Sequence, residues 1–155
     1  MFGWSVAMTT LIFVQILLGA LVAGNDAGRY HTDWPLMDGA FFPVTAFELA
    51  PVWSNFFENP ALVQFMHRVT AYLLVVAGVL FALRGRRTGH KRISYWTTAV
   101  ALGIVLQGVW GVVTLVHAAP VHLAIFHQLF ALGLLAVALR AKFEMAYPGE
   151  QKISA

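Results

Sequence analysis

Residues 61 to 83 read Ala61-Leu-Val-Gln-Phe-Met-His67-Arg68-Val-Thr-Ala71-Tyr-Leu-Leu-Val-Val-Ala-Gly-Val-Leu-Phe-Ala-Leu83. Arg68 carries the only formal charge in this stretch, whose length suits the roughly 20 residues a helix needs to cross a hydrocarbon core. Phe2 to Gly24, Ser94 to Val116 and Val121 to Leu139 are apolar runs of the same kind. Of the 155 residues, 59% are hydrophobic and 11% charged, and the mean hydropathy is +0.73. A small water-solvated domain hides only about two thirds of the surface its chain exposes, so this much apolar surface needs another solvent, a bilayer. In hydrocarbon the backbone must satisfy its own amides within a helix or a closed barrel, and strand-like alternation is scarce here. The sequence therefore predicts an all-α polytopic membrane four-helix bundle, a single transmembrane domain over residues 1–155. The first run lacks a basic n-region and exceeds the roughly 7 to 15 residues of a signal-peptide core, so it reads as a span.

Basic residues set the expected orientation. Arg84, Arg86, Arg87, Lys91 and Arg92 follow the second span, and Arg140, Lys142 and Lys152 follow the fourth, which places both regions and both termini on the cytoplasmic side or its organellar equivalent. The net charge of +3 and the pI near 9.6 follow from this clustering, and no nucleic-acid partner is expected. The outer loop, residues 25–60, carries Asp26, Asp33, Asp38, Glu48 and Glu58 against Arg29. With Phe41, Phe42, Trp53, Phe56 and Phe57 it is too aromatic for a disordered tether and is expected to lie against membrane lipid at headgroup level. The chain has no cysteine, so disulfides, thiolate metal sites and cysteine nucleophiles are excluded.

The chain also repeats itself. Gln15 precedes Gly19 as Gln107 precedes Gly111, each pair on one helix face. Pro60 leads to His67 as Pro120 leads to His127, Val63-Gln-Phe-Met-His67-Arg68 parallels Leu123-Ala-Ile-Phe-His127-Gln128, and Ala71 and Ala131 each follow their histidine by one turn. A duplicated helix pair preserves orientation, so the copies are expected to be related by an axis along the membrane normal. Proline suits the first helical turn and Asn59 a cap, so both helices start at a defined level. At 1.5 Å per residue, each imidazole then lies roughly 10 Å along its helix, in the outer half of the bilayer.

Two imidazoles at one depth on neighbouring parallel helices can face each other. A lone intramembrane histidine more commonly bonds another helix or relays a proton; a matched pair beside small residues such as Ala71, Ala124 and Ala131 points to axial ligation of a haem iron by His67 and His127. Two histidines supply only half of a tetrahedral zinc shell. Arg68 is expected to pair with a haem propionate or with a loop acid such as Glu58. Gln15 and Gln107 read as interhelical hydrogen-bonding residues or as contacts to a ligand. His117 and His122 flank the last connection and are interfacial, either able to touch a propionate or relay a proton, while His31 and His90 read as loop residues.

These strings resemble the haem A synthase family, specifically the carboxy-terminal half of that two-fold repeated membrane enzyme. The resemblance rests on Gln15-Ile-Leu-Leu-Gly-Ala-Leu-Val-Ala-Gly24, on Asp26-Ala-Gly-Arg29 with Trp34-Pro-Leu-Met-Asp-Gly39, on Asn55-Phe-Phe-Glu-Asn-Pro60 running into the His67 string, and on Gly111-Val-Val-Thr-Leu115 with the His127 string. It implies a bacterial plasma membrane or mitochondrial inner membrane enzyme that oxidises the C8 methyl of haem O to the formyl of haem A by successive hydroxylations. It also implies that His67 and His127 hold haem b, and that the amino-terminal half supplies another histidine pair and a glutamate for the substrate. That half is absent, so the chain reads as a fragment, an incomplete gene product or one partner of a split protein, inactive alone. Partners implied are the missing half, haem O and an electron acceptor. The cysteine pair of some members is missing as well, which argues against a thiol-dependent step. An alternative reading is a non-catalytic bis-histidine cytochrome b that passes electrons, and a third is a haem-free structural or transport subunit.

Overall fold

A computed structural model describes residues 1–147; Lys152, one of the basic residues of the expected inner tail, lies outside the described residues. The elements in order are α1 (Phe2–Gly24), the four-residue α2 (Asn55–Glu58), α3 (Pro60–Arg87), α4 (Lys91–Val116) and α5 (Val121–Ala146), with two short 3-10 turns in the loop between α1 and α2. The architecture is all-helical, and α1, α3, α4 and α5 are long and apolar enough to cross a membrane. Helix α1 has the expected limits. The other three run past theirs, to Arg87, back to Lys91 and on to Ala146. Hydropathy marks where hydrocarbon ends, whereas backbone hydrogen bonding carries the helix on into the interface, where long basic side chains reach out of the apolar layer. Arg84 shows this, its guanidinium lying 4.4 Å over the Trp4 ring.

The long helices form a ring in which α1 packs on α3, α3 on α4, α4 on α5 and α5 on α1. Helices α3 and α5 are therefore diagonal, not neighbouring as the sequence reading had them, and so are α1 and α4. Four antiparallel helices joined in sequence close into a square most simply by placing every second helix across the diagonal.

One seam holds the bundle. Ser5, Met8 and Ile12 of α1 are buried, and Thr97, Val100 and Ile104, their counterparts in α4 at one constant offset, are buried too. The same offset relates Gln15 to Gln107 and Gly19 to Gly111. In α3 the buried positions Leu74, Gly78, Phe81 and Gly85 match Leu134, Ala138, Ala141 and Met145 of α5. Steps alternating between three and four residues keep one stripe facing the bundle axis over several turns. The duplication is thus structural as well as sequential: both copies bury the same helical face. Ser5 and Thr97 are tolerated in this seam because each hydroxyl donates to its own helix, to Phe2 O at 2.7 Å and to Ile93 O at 2.9 Å.

At the basic end the carboxylate of Glu144, 2% exposed, is paired with Arg92 of α4 at 2.5 Å and with Arg140 one turn back on α5. At the other end the two copies differ. Between α4 and α5 the chain turns within residues 117–120, with Ala118 and Ala119 at φ of 59° and 48°. The Ala119 N–H donates to Thr114 O at 2.9 Å and the Ala118 N–H to Leu115 O at 2.9 Å, closing the end of α4. Between α1 and α3 stands the long loop, folded on its own polar anchors. Asn59 caps α3 as expected, its Oδ1 accepting from Ala61 N–H at 3.0 Å and Leu62 N–H at 3.2 Å, while its Nδ2 donates to Thr45 O at 2.7 Å. Fully buried Asn55 bonds both backbone groups of Leu49 and the carbonyl of Val52.

Candidate functional site

His67 enters α3 about two turns past its Asn59 cap, and His127 enters α5 at the corresponding distance from Pro120. Each ring is met by the helix beside it. The Nε2 of Gln15 on α1 donates to the His67 carbonyl at 3.0 Å and lies 3.1 Å from Nδ1 and 3.3 Å from Nε2 of the same ring. The Nε2 of Gln107 on α4 donates to the His127 carbonyl at 2.7 Å and lies 3.2 Å from its Nδ1. One turn further on, a glycine makes room: a Cβ on Gly19 would stand 3.2 Å from Cε1 of His67, and one on Gly111 would stand 3.0 Å from Cε1 of His127. Any larger residue there would press on the imidazole. Of the two readings open for Gln15 and Gln107, the structure displays the interhelical bond, and its partner is in each case the paired histidine.

Above His67 the loop is tied down by side chains of α3. Arg68, 8% exposed, donates through Nη1 to Leu36 O at 2.9 Å and through Nη2 to His31 O at 3.0 Å and to Gln64 Oε1 at 3.1 Å. Gln64, 2% exposed, donates in turn to Ala27 O at 2.9 Å and His31 O at 3.0 Å. The expected pairing of Arg68 with Glu58 is not found: a guanidinium entering an apolar region needs acceptors, and the loop carbonyls lie nearer than any carboxylate among the described residues. Its Nε is buried with no partner. Gln64 was not singled out from the sequence, although a glutamine one turn before a buried arginine was a legible sign of a polar anchor. Phe65 also holds the loop, meeting Phe41 and Phe42 edge to face at centroid distances of 5.8 and 4.9 Å.

The rings of His31, His117 and His122 make their contacts elsewhere. His31 shares a 2.9 Å hydrogen bond with Asp38 in the loop. His117 is exposed, its Nδ1 2.8 Å from Val113 O, and His122 is exposed at the start of α5. The loop's outward surface is apolar, with Val44 91%, Phe41 63%, Trp53 63% and Phe57 55% exposed, the composition expected of a segment resting on lipid headgroups.

Comparison with known proteins agrees with this architecture. Residues 1–139 match the family model described as cytochrome oxidase assembly protein. Proteins named heme A synthase are similar throughout: that of Roseobacter denitrificans is 52% identical over 94% of this chain and 38% of its own length. That of Ruegeria sp. strain TM1040 is 53% identical over 96% of this chain and 39% of its own length, and that of Paracoccus denitrificans 44% identical over 99% and 40%. The chain spans about two fifths of the length of these curated relatives. No solved structure matches it at a significant level. A duplicated membrane helix pair with paired histidines, together with a family match over nearly the whole chain, leads to one conclusion: this integral membrane chain belongs to the haem A synthase family.

Proposed function

We propose that the chain is the haem b-binding half of a membrane oxidoreductase of haem A biosynthesis, the enzyme that converts haem O to haem A by oxidising the C8 methyl to a formyl group. The observation that carries the reading is the equivalence of the two histidine environments, each imidazole flanked by a glutamine and a glycine from the adjacent helix at matched positions. The residues fit the group. Two neutral imidazoles are the donor set of a bis-histidine haem, and the glycines leave the space beside each ring that a Cβ would fill. His67 and His127 would hold the group, and haem b so held would supply one-electron transfer.

The protein's own part is positional. The seam through α1, α3, α4 and α5 holds the two histidine-bearing helices on opposite corners of the bundle. Arg68 fastens the loop over His67, and its unpartnered Nε–H suits a carboxylate such as a haem propionate. The basic ends of α3, α4 and α5 face the cytoplasm or matrix, which puts the histidines toward the outer side. Oxidation of the methyl group takes place with the amino-terminal half, which with an electron acceptor and haem O completes the set of partners.

Purification of the chain from haem-sufficient cells is expected to give a low-spin haem b spectrum that is lost in His67→Ala and in His127→Ala. A colourless chain, or a spectrum unchanged in both variants, overturns the ligation. Co-expression with a matching amino-terminal half is expected to yield haem A; a coloured complex without haem A formation favours the simple cytochrome b.

A further inference from the structure

The two copies meet along two seams, α3 against α4 and α5 against α1, which the duplication makes equivalent. At the basic end the first seam is closed. Gly85 lies so near Thr97 that a Cβ there would overlap its side chain, and Ala82, one turn before, is buried. The second seam is open. Met145 and Ser5 take the places of Gly85 and Thr97, Lys142 that of Ala82 and Phe2 that of Ser94. Here a groove of about 310 Å³ is lined by Phe2, Leu139, Lys142, Phe143, Ala146 and Tyr147. Its aliphatic and aromatic walls are exposed, and the Phe143 ring is held by the Arg140 guanidinium at 5.2 Å and the Tyr147 ring at 5.1 Å.

Lys142 brings the one formal charge into this lining. Glu144, the only acidic residue of the four long helices, is already committed to Arg92 at 2.5 Å and to Arg140. Lys142 has no ion pair among the described residues, and basic residues outnumber the single carboxylate at this end of the bundle. A lysine can lay its methylene stem along apolar walls while its ammonium reaches headgroup level. The arrangement suits a molecule with an apolar tail and an anionic head, and basic pockets between membrane helices take phospholipid headgroups in this way. Free phosphate would leave the apolar walls uncovered, and a zwitterionic lipid would bring its own cation toward Lys142.

We propose that the groove between α1 and α5 is a binding site for an anionic phospholipid, with an acyl chain against Phe2, Leu139 and Phe143 and the phosphate at the Lys142 ammonium. The lipid closes this seam as direct packing closes the seam between α3 and α4.

The test uses the full chain, purified in a mild detergent and freed of lipid, as parent, Lys142→Gln, Lys91→Gln and Ala146→Trp. Each is melted with added phosphatidylglycerol, phosphatidylcholine or inorganic phosphate. Phosphatidylglycerol is expected to raise the melting temperature of the parent, and the other two to leave it unchanged. The affinity read from the half-maximal shift is expected to fall about fivefold in Lys142→Gln, the share of one basic side chain at an anionic surface, and to stay within about twofold in Lys91→Gln. The second variant removes the same charge from the exposed start of α4. Ala146→Trp keeps every charge and fills the groove, so the shift is expected to disappear. No protection of the parent by phosphatidylglycerol overturns the proposal, as does equal protection by phosphatidylcholine or by phosphate. Equal weakening in Lys91→Gln and Lys142→Gln marks a diffuse field in place of a site and overturns it too, as does a full shift kept in Ala146→Trp. Should Lys142→Gln fail to fold, the parent with its three ligands and Ala146→Trp still decide.

Discussion

At the scale of single residues, the most sensitive positions are those whose smallness is used by a neighbour. Gly19→Ala and Gly111→Ala each place a methyl against a histidine Cε1, at 3.2 and 3.0 Å. Alanine also raises helix propensity by about 1 kcal/mol over glycine. The two effects separate cleanly in measurement: helicity by circular dichroism is expected to be unchanged or slightly more heat-resistant, while the fraction of chain carrying low-spin haem falls. A fall in both together would mean that the glycines serve packing alone. Asn59 is sensitive for the opposite reason, because one amide does several things. Its Oδ1 caps α3 and its Nδ2 holds Thr45 O and Asn55 Oδ1. Asn59→Ala is expected to cost about 1 kcal/mol for the cap alone and to release the loop, so proteolysis within residues 41–54 should accelerate before the midpoint of thermal unfolding moves far.

At the scale of the helices, register was more legible than adjacency. Matched strings around His67 and His127 carried the equivalence of α3 and α5, whose buried positions repeat at the same offset. Nothing in those strings told which helix stands beside which, and the square ring makes the two diagonal. The carboxy-terminal helix ends were legible only where polarity and backbone geometry coincide, at Gly24 and Val116. Elsewhere charge marked the apolar boundary while the helix continued to Arg87 and Ala146. Close helix contacts supply a direct test. A methyl at Gly85 would overlap the side chain of Thr97, a stiff β-branched residue, whereas one at Gly103 would meet only the flexible end of Leu134. Gly85→Ala is therefore expected to destabilise the α3–α4 pair by about 1–3 kcal/mol, and Gly103→Ala to be near neutral. The comparison is made by thermal melting in one detergent, and equal shifts in the two variants would contradict the packing described.

At the scale of the whole molecule, the membrane class and the bundle could be read from apolar runs, since hydrocarbon leaves the backbone few options. The folded loop could not. It is built from contacts distant in sequence, Gln64 to Ala27 and His31, Arg68 to Leu36, Asn59 to Thr45, which no local pattern announces. The expected sidedness is open to a clean experiment because the chain has no cysteine of its own. Val44→Cys, at the most exposed apolar position of the loop, should react with an impermeant maleimide in intact cells, and Arg87→Cys only after the membrane is opened. The reverse pattern would invert the orientation.

The two copies agree in their helices and part company at their caps. His67 lies under a tied-down canopy of aromatic rings and carbonyls, whereas His127 lies under the short turn of residues 117–120. Internal symmetry therefore stops short of the aqueous face, and twin rings experience unlike weather. Small solutes and protons have their shorter path on the short-turn side, so exchange with bulk water should register first at His127, making one histidine the sheltered anchor and the other the weathered one.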